Sequence, residues 1–439
     1  MHSSKLTLSV IRELACPSVS RALAVLLAVL LSSPVLVAQP GSDGADSDKQ
    51  TIDMLLHRVE QLEARVAQLE AAREMPATTA PAHGSAAPAA AQAVPIPEPQ
   101  PEPTSGHATG ERMDTSSTLM RIRGFGDVNL RGGDRKGTTT SFTLGQLDLF
   151  VTSDVSEKFK FLSEIVFEAD QQNNFGVDVE RLLMQYSPND YFNLSAGRYH
   201  TAIGYYNTAY HHSTWLQTAT GRPFLFQFED NGGILPIHNV GVSATGLIPS
   251  GPLQLHYVAE VGNGRASSSP FAEPVQNVVD ENNGKAVNFA LFTQPEAVRG
   301  LQIGFSAYHD HLTPVRAPGI GELIFDAYGV FVRPNFEWLN EAVLIRHSPE
   351  GSSHVFNTPG FYTQLSKRFG SWRPYFRYQY VNGSDSEPVF PTVGRREGPS
   401  VGLRFDASES VALKFQYDRN ILRHDPSYNT LGLQLGFTF

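Results

Sequence analysis

Charged residues recur at alternate positions of short segments whose remaining positions are apolar. In residues 372–382, Arg373 and Arg377 alternate with Trp372 and Phe376. Because successive side chains of a β-strand point to opposite faces, charge and apolar surface would lie on opposite faces of a strand here. The same parity, applied to every such segment, predicts a basic wall formed by Arg121, Arg123, Arg373, Arg377, Arg404 and Lys414.

An acidic counterpart occurs in residues 158–170. Glu164, Glu168 and Asp170 share one strand face, and Phe167 lies on the other. Basic and acidic walls on opposite sides of a water-filled interior would produce a field that orients dipolar solutes. The alternative is that these are scattered charges that hold water and form ion pairs.

No residue pattern in the chain points to catalysis. Neither the Gly-x-Ser-x-Gly elbow of hydrolases nor the His-Glu-x-x-His pattern of zinc proteases occurs. His309 and His311 would share a strand face, and His211 and His212 are adjacent, but neither pair has an accompanying cysteine or a clear third ligand. We therefore expect no enzyme activity, no metal and no cofactor.

The overall composition narrows the class of protein. Of the 439 residues, 18% are charged and 10% are aromatic, and the mean hydropathy is −0.22. A helical membrane protein would be more apolar. In a transmembrane β-barrel, residues that face lipid alternate with residues that face water, which matches these values. The formal net charge of −10 argues against a nucleic-acid partner.

Residues 1–38 are expected to form a secretory signal peptide. Basic residues precede an apolar run at 22–31, which is too short for a typical membrane-spanning helix. The single cysteine, Cys16, precedes that run, whereas a lipoprotein acceptor would come after it. We therefore expect neither lipidation nor a disulfide in the mature chain.

Residues 48–74 carry a heptad pattern. Apolar residues recur at alternating spacings of 3 and 4 from Ile52 to Leu69, which predicts a left-handed coiled coil. β-Branched residues at a with leucine at d favour a dimer, but two Arg-h-x-x-h-Glu motifs, beginning at Arg58 and Arg65, resemble those of parallel trimers. We predict a homotrimer; the alternative is a lone amphipathic helix. The predicted trimerisation residues are Ile52, Leu55, Arg58, Val59, Leu62, Glu63, Arg65, Val66, Leu69 and Glu70.

Residues 75–117 are rich in Pro, Ala, Ser and Thr. Such a composition cannot bury a core, so we expect a disordered linker with polyproline character between the coiled coil and the C-terminal part of the chain.

Residues 118–439 consist of alternating segments separated by turns, which predicts an all-β domain. Seven short connections alternate with longer ones, and an even strand count returns both ends to one side, as in a 16-stranded antiparallel transmembrane β-barrel. The predicted strands are 119–131, 139–152, 158–170, 176–187, 191–199, 237–247, 253–262, 285–294, 299–310, 322–333, 335–347, 358–369, 372–382, 398–406, 410–422 and 429–439.

The last predicted strand shows the pattern most clearly. Leucine and phenylalanine occupy every second position from Leu431 to Phe439, and the positions between them are glycine or polar. This arrangement suits lipid on one face and water on the other. A terminal aromatic strand resembles the signal that the barrel-insertion machinery reads in bacterial outer-membrane proteins, which assigns that role to Phe437 and Phe439.

Together, the secretion signal, the coiled coil, sixteen strands and the terminal Phe resemble the trimeric Gram-negative outer-membrane porins, nearest to the phosphate-selective porin O and P type. The most family-like short stretch is Gly197–Gly204 (GRYHTAIG). The resemblance implies a water-filled channel for ions and small hydrophilic solutes in the lipid of the cell outer membrane, with the coiled coil in the periplasm. It also implies that the long connection at 200–236 narrows the channel.

In that connection, Arg222, Glu229 and Asp230 are candidate constriction residues opposite the basic wall, although its aromatic residues could instead pack against the barrel. A connection of this length in a compact domain is usually functional. Six basic residues fall short of a dense phosphate ladder, so the preferred ion stays open. Two alternatives remain. One is a substrate-specific anion channel for phosphate or carboxylate, and the other is a structural barrel whose stalk contacts peptidoglycan.

Overall fold

The computed structural model describes residues 119–169, 174–210, 213–229, 232–268, 272–276, 279–315 and 317–439. The predicted signal peptide, coiled coil and linker lie outside these residues. Among the described residues, no helix is long and apolar enough to cross a membrane.

The described residues form eighteen strands, and sixteen of them close into one antiparallel barrel. Each barrel strand pairs with its neighbours in the chain, and the first pairs with the last. The exceptions, β8 and β9, form a separate hairpin within one connection. The strands are β1 (Met120–Gly133), β2 (Ser141–Asp154), β3 (Phe159–Ala169), β4 (Phe175–Asn189), β5 (Phe192–His200), β6 (His238–Ile248), β7 (Leu255–Gly262), β8 (Arg265–Ser268), β9 (Ala272–Gln276), β10 (Ala286–Thr293), β11 (Leu301–Leu312), β12 (Ile320–Arg333), β13 (Phe336–Pro349), β14 (Phe356–Lys367), β15 (Trp372–Asn382), β16 (Arg395–Asp406), β17 (Val411–Leu422) and β18 (Tyr428–Thr438).

The predicted sixteen-stranded antiparallel barrel is therefore confirmed. Every predicted strand has a counterpart, and the largest boundary difference is at β16, which begins at Arg395 rather than at 398. The hairpin of β8 and β9 was not predicted, because its two segments are too short to show an alternating pattern.

The alternation of the last strand explains its place in the wall. Leu431 and Leu433 of β18 are 51% and 50% exposed on the outer surface, whereas Gly432 and Gln434, which alternate with them, are buried on the inner side. Closure depends on the same strand. The backbone N–H of Gly124 donates to the carbonyl of Phe439 over 2.8 Å, and the Phe439 ring covers the place that a Cβ at Gly124 would occupy.

The connections differ at the two ends of the barrel. One end carries connections such as 155–158, 190–191 and 334–335, and the other carries longer ones, including 201–237 and 383–394. The connection 201–237 contains a helix, α1 (Gly204–Ala209), and a 3₁₀ turn at Phe224–Phe226. We refer to residues 201–237 as the inner segment.

The apolar core lies inside the barrel, between the inner segment and one part of the wall. Leu225 and Phe226 of the inner segment pack in one buried cluster with inward residues of β12 and β13, among them Ile324 and Val343. These strands therefore carry apolar residues on both faces, and their inner faces also carry carboxylates such as Glu322 and Glu341. Burial of such side chains contributes roughly 1.5–3 kcal/mol each, so this cluster is a main source of the affinity between segment and wall.

Candidate functional site

The inner segment lies within the barrel and is bonded to inward side chains of strands distant from its own ends. It begins beside β7, where the N–H of Ala202 donates to Glu260 over 3.0 Å. Farther along, the N–H of Thr220 donates to Gln416 of β17 over 3.0 Å, and the N–H of Phe224 donates to Gln379 of β15 over 2.9 Å. The segment thus crosses the interior from one side of the wall to another.

The first anchor is a carboxylate beneath α1. Glu341 of β13 accepts hydrogen bonds from the N–H groups of Tyr205, over 2.6 Å, and Tyr206, over 3.0 Å, and from the hydroxyl of Tyr362. These are N–H groups of the first helical turn, which lack partners within the helix, so the carboxylate satisfies them. Gly204, at φ +74°, lets the backbone approach this closely, since a Cβ there would lie 2.4 Å from an oxygen of Glu341.

A second carboxylate joins two parts of the segment. Glu337 of β13 accepts hydrogen bonds from the hydroxyls of Tyr210 and Thr218, each over 3.1 Å. Gln364 of β14 donates to its other oxygen over 2.6 Å. Each of these groups is mostly buried, so the bonds hold the segment where water competes little.

Four residues of the predicted basic wall converge on residues 214–221. Arg377 donates to the carbonyl of Gly221 over 2.9 Å, and Arg404 donates to the carbonyls of Trp215 and Gln217 over 2.7 and 2.9 Å. Lys414, 2% exposed, donates to the carbonyls of Thr214 and Ala219. Arg123 donates to Thr438 over 3.2 Å, and its guanidinium lies 5.5 Å from the Trp215 ring.

The other two predicted basic residues lie elsewhere. Arg121 forms an exposed ion pair with Asp154 at 3.8 Å, and Arg373 donates to the carbonyl of Pro334 over 2.8 Å. Both contacts are at the end of the barrel with the short connections. The structure therefore does not bring Arg121 and Arg373 to the inner segment.

The acidic residues of β3 are engaged within the wall. Glu164 is fully buried and pairs with Arg181 of β4 at 2.6 Å. Glu168 accepts a hydrogen bond from Gln146 of β2 over 2.9 Å. The third member of the predicted acidic set, at position 170, lies outside the described residues.

Within the inner segment, Arg222 is held by the segment itself. It donates to the carbonyl of Phe226 and, over 3.0 Å, to that of Tyr210, while its guanidinium lies 4.2 Å from the centre of the Phe228 ring. Burial lowers the pKa of Arg222. Its hydrogen bonds and ring contact join Tyr210, Phe226 and Phe228 of the segment.

Glu229 fixes the end of the inner segment to the start of β6. It is 2% exposed and accepts hydrogen bonds from the backbone N–H of His238, over 3.0 Å, and from its ring. Burial alone would raise the pKa of Glu229, but the charge and hydrogen bonds of His238 hold it below its ordinary value. Asp230 lies outside the described residues.

Further side chains of the barrel strands bond the segment directly and are not among the predicted site residues. Each is an inward polar residue, so strand parity could have placed it on the inner face. They include Glu260, Glu337, Glu341, Gln379 and Gln416, and Gln364 supports Glu337 from β14.

A buried ionic cluster joins further connections at the end of the barrel with the longer loops. Arg265, in the connection after β7, pairs with Glu322 of β12 and donates to the carbonyl of Ile234 over 2.8 Å. His347 of β13 contacts Glu322 at 2.7 Å and pairs with Glu387 in the connection after β15. This cluster ties three connections to one another inside the rim.

The histidines considered as ligands are dispersed. The ring of His309 contacts the carbonyl of Glu322 at 2.9 Å, and that of His311 lies 3.6 Å from Glu350. Positions 211 and 212 are outside the described residues. Within the ranges that the structure describes, no group of three or more His, Cys, Asp or Glu side chains is arranged to hold a metal ion.

Comparison with solved structures identifies the architecture. The anion-selective porin of Comamonas acidovorans superposes with a TM-score of 0.53 at 12% identity, covering 74% of this chain and all (100%) of that one. The chain has the fold of the outer-membrane porins. The outer-membrane channel DcaP of Acinetobacter baumannii gives 0.51 at 12% identity, covering 74% and 98%. OmpT of Vibrio cholerae, in its trimer form, gives 0.51 at 11%, covering 74% and 100%.

At these identities the porin likeness is one of fold. No protein-family model and no curated protein sequence matches the chain.

Proposed function

We propose that this protein is an outer-membrane porin, a water-filled channel for ions and small hydrophilic solutes, with the inner segment as its constriction. The observation that carries the proposal is the path of the inner segment. A long connection folded into a closed sixteen-stranded barrel, and bonded to its far wall, narrows the interior without a second domain. A barrel of this size is otherwise wide enough to leave an aqueous channel.

Selectivity in this proposal depends on how the constriction is held. Arg377, Arg404 and Lys414 donate to backbone carbonyls of the segment, so each cation faces the negative end of a peptide dipole. Part of the basic wall's field is thereby offset locally. We propose that these residues mainly set the position of the constriction, and that they contribute a weaker anion preference than six free cations would.

The assembly we propose is a homotrimer in the outer membrane, with residues 48–74 as a parallel coiled coil in the periplasm. Two observations support it. The heptad pattern contains two trimer-like motifs, and the OmpT barrel of Vibrio cholerae, which has a similar fold, is described in a trimer form. The terminal Phe437 and Phe439, on the outer surface, would be read during insertion by the barrel-insertion machinery.

The decisive experiment is single-channel recording of the purified full chain in planar bilayers, with reversal potentials under a salt gradient. We expect openings in three equal steps and a modest ion preference. Correctly folded protein without conductance at any salt concentration or voltage would overturn the porin, and would favour a barrel that only tethers the membrane to the cell wall.

The trimer has its own test. Replacing Leu62 and Leu69 by Asp places charge in the predicted heptad seam, and we expect weaker trimers by light scattering in detergent. The matched control replaces Gln61 and Gln68, which lie outside the seam, by Asp. Equal trimer stability in both double variants would show that residues 48–74 do not assemble the protein.

A further inference from the structure

One guanidinium inside the barrel has no acceptor for its donors among the described residues. It belongs to Arg396, near the start of β16, which pairs across the strands with Val381 and Leu422. Val381 is 2% exposed and belongs to the inner core cluster, so this register places Arg396 on the inward face. It lies toward the end of the barrel that carries the longer connections.

The Arg396 side chain is positioned by an aromatic ring of the inner segment. Its guanidinium carbon lies 3.9 Å from the centre of the Phe224 ring, and Phe224 is itself fixed by the bond from its N–H to Gln379. The Nε atom of Arg396 is buried without a hydrogen-bond partner. Within the part of the chain that the structure describes, no side chain or carbonyl accepts a hydrogen bond from its terminal nitrogens.

Other arginines of the barrel have the carboxylate partner that Arg396 lacks among the described residues. Arg181, Arg198, Arg265, Arg395 and Arg404 each pair with a carboxylate. A half-buried guanidinium that loses water without gaining an acceptor is costly. Its contact with the Phe224 ring offsets only part of this cost. The remaining cost favours an acceptor from solution.

We propose that Arg396 and Phe224 form a subsite for a small carboxylate anion within the channel. The proposal rests on the porin function and names a solute class for it. The ring contact holds the guanidinium in place, and the buried Nε leaves the two terminal nitrogens to meet a ligand. Two parallel N–H donors match the two oxygens of a carboxylate, which they bind in a planar, bidentate pair.

The surroundings favour a carboxylate that carries an apolar group. Val381 and Val393 pack in or against the inner apolar cluster beside this part of β16, so a methyl or methylene chain would find apolar surface. Chloride gains the charge attraction but neither the paired geometry nor the apolar contact. The subsite should therefore prefer acetate and its longer homologues to chloride.

The test measures single-channel conductance against concentration in potassium acetate and in potassium chloride, using the full chain. For the unaltered protein we expect conductance to saturate in acetate and to rise more nearly linearly in chloride. Arg396→Gln should raise the half-saturating acetate concentration at least about tenfold. Arg396→Lys keeps the charge but loses the two parallel N–H donors, and should raise the half-saturating acetate concentration to a similar extent. Phe224→Leu, which releases the guanidinium, should shift it in the same direction.

The matched control is Arg346→Gln. Arg346 lies between the buried inward residues Ile345 and His347 of β13 and therefore faces outward, so this variant removes the same charge without touching the subsite. Acetate conductance that is unchanged in Arg396→Gln, or a normal response of Arg396→Lys, would overturn the proposal. An equal shift in Arg346→Gln would also overturn it, because net charge alone would then be responsible.

Binding can be followed independently of conduction. Line broadening of ¹³C-acetate by the detergent-solubilised chain should be lost in Arg396→Gln, with folding of each variant checked by its heat-modifiable gel mobility. A conducting channel without broadening overturns the subsite and leaves the porin intact. Broadening without conductance overturns the porin and leaves the anion site.

Discussion

Lys414→Met should release the inner segment from the β17 wall. Methionine has nearly the length of lysine but no donor, so the buried carbonyls of Thr214 and Ala219 lose the ammonium that they share. An unpaired buried acceptor costs about 1–3 kcal/mol, so docking of the segment should weaken by about 2–6 kcal/mol. Since each 1.4 kcal/mol is a factor of ten, even the lower value raises the undocked population about 30-fold.

Thiol accessibility measures this population directly. Ala219 is 1% exposed, and the chain's one cysteine, Cys16, can be replaced by Ser. Ala219→Cys should then react slowly with a charged thiol reagent, and at least about 30-fold faster when combined with Lys414→Met. Lys160→Met is the control, because Lys160 of β3 is exposed and forms no hydrogen bond with the described residues of the segment. Equal rates with and without Lys414→Met would refute the anchoring argument.

Three further outcomes rest on the same geometry. Gly204→Ala adds a Cβ at φ +74° and 2.4 Å from a buried carboxylate oxygen of β13, so the thiol assay should report an undocked segment in a barrel that still folds. Gly197→Ala places a Cβ 2.0 Å from a carbonyl of β4 at φ +136°, and should instead reduce the folded fraction on gels. Because His238 holds the pKa of Glu229 below its ordinary 4.5, the contribution of this pair is present above pH 4.5 and is lost as pH falls through the lower value. Thiol protection should therefore be complete above pH 4.5 and decrease as the pH falls below it. Glu229→Gln should weaken thiol protection at neutral pH.

The strands could be predicted from the sequence because their rule is local. A period of two, interrupted by turn residues, is visible within each segment, and it locates all sixteen barrel strands. The rule weakens where the inner segment covers the wall. Inward Ile324 and Val343 are apolar because they belong to the buried cluster that also contains Leu225 and Phe226, and so do not face water. No pattern within β12 or β13 reveals a partner about a hundred residues away in the chain.

The path of the inner segment could not be derived from its own residues. Its length and aromatic content indicate a functional connection, yet the bonds that hold it come from Glu341, Gln379 and Gln416, each on a different strand. Such contacts depend on barrel closure and strand register, which set the height of each side chain. Parity assigns a side chain to a face, but it gives neither its height nor its partner.

Arg396 shows how much depends on one strand boundary. It has the same parity as Arg404, so an alternation extended to 395 would have added it to the basic wall. The predicted strand begins at 398, which assigns residues 395–397 to the preceding loop. In the structure, β15 pairs with residues on both sides of Pro399, and the strand continues to Arg395. Proline lacks only its own N–H and so does not end a strand whose neighbours hold the register.

The consequence of this boundary is functional. Arg377, Arg404 and Lys414 are committed to carbonyls of the inner segment, whereas Arg396, beyond the predicted boundary, retains its donors. A solute that bound one of the committed cations would have to displace a backbone carbonyl and so loosen the constriction. Binding at Arg396 needs no such release. If a single inward cation gives the proposed channel an affinity for solutes, the unpaired Arg396 is therefore the better candidate.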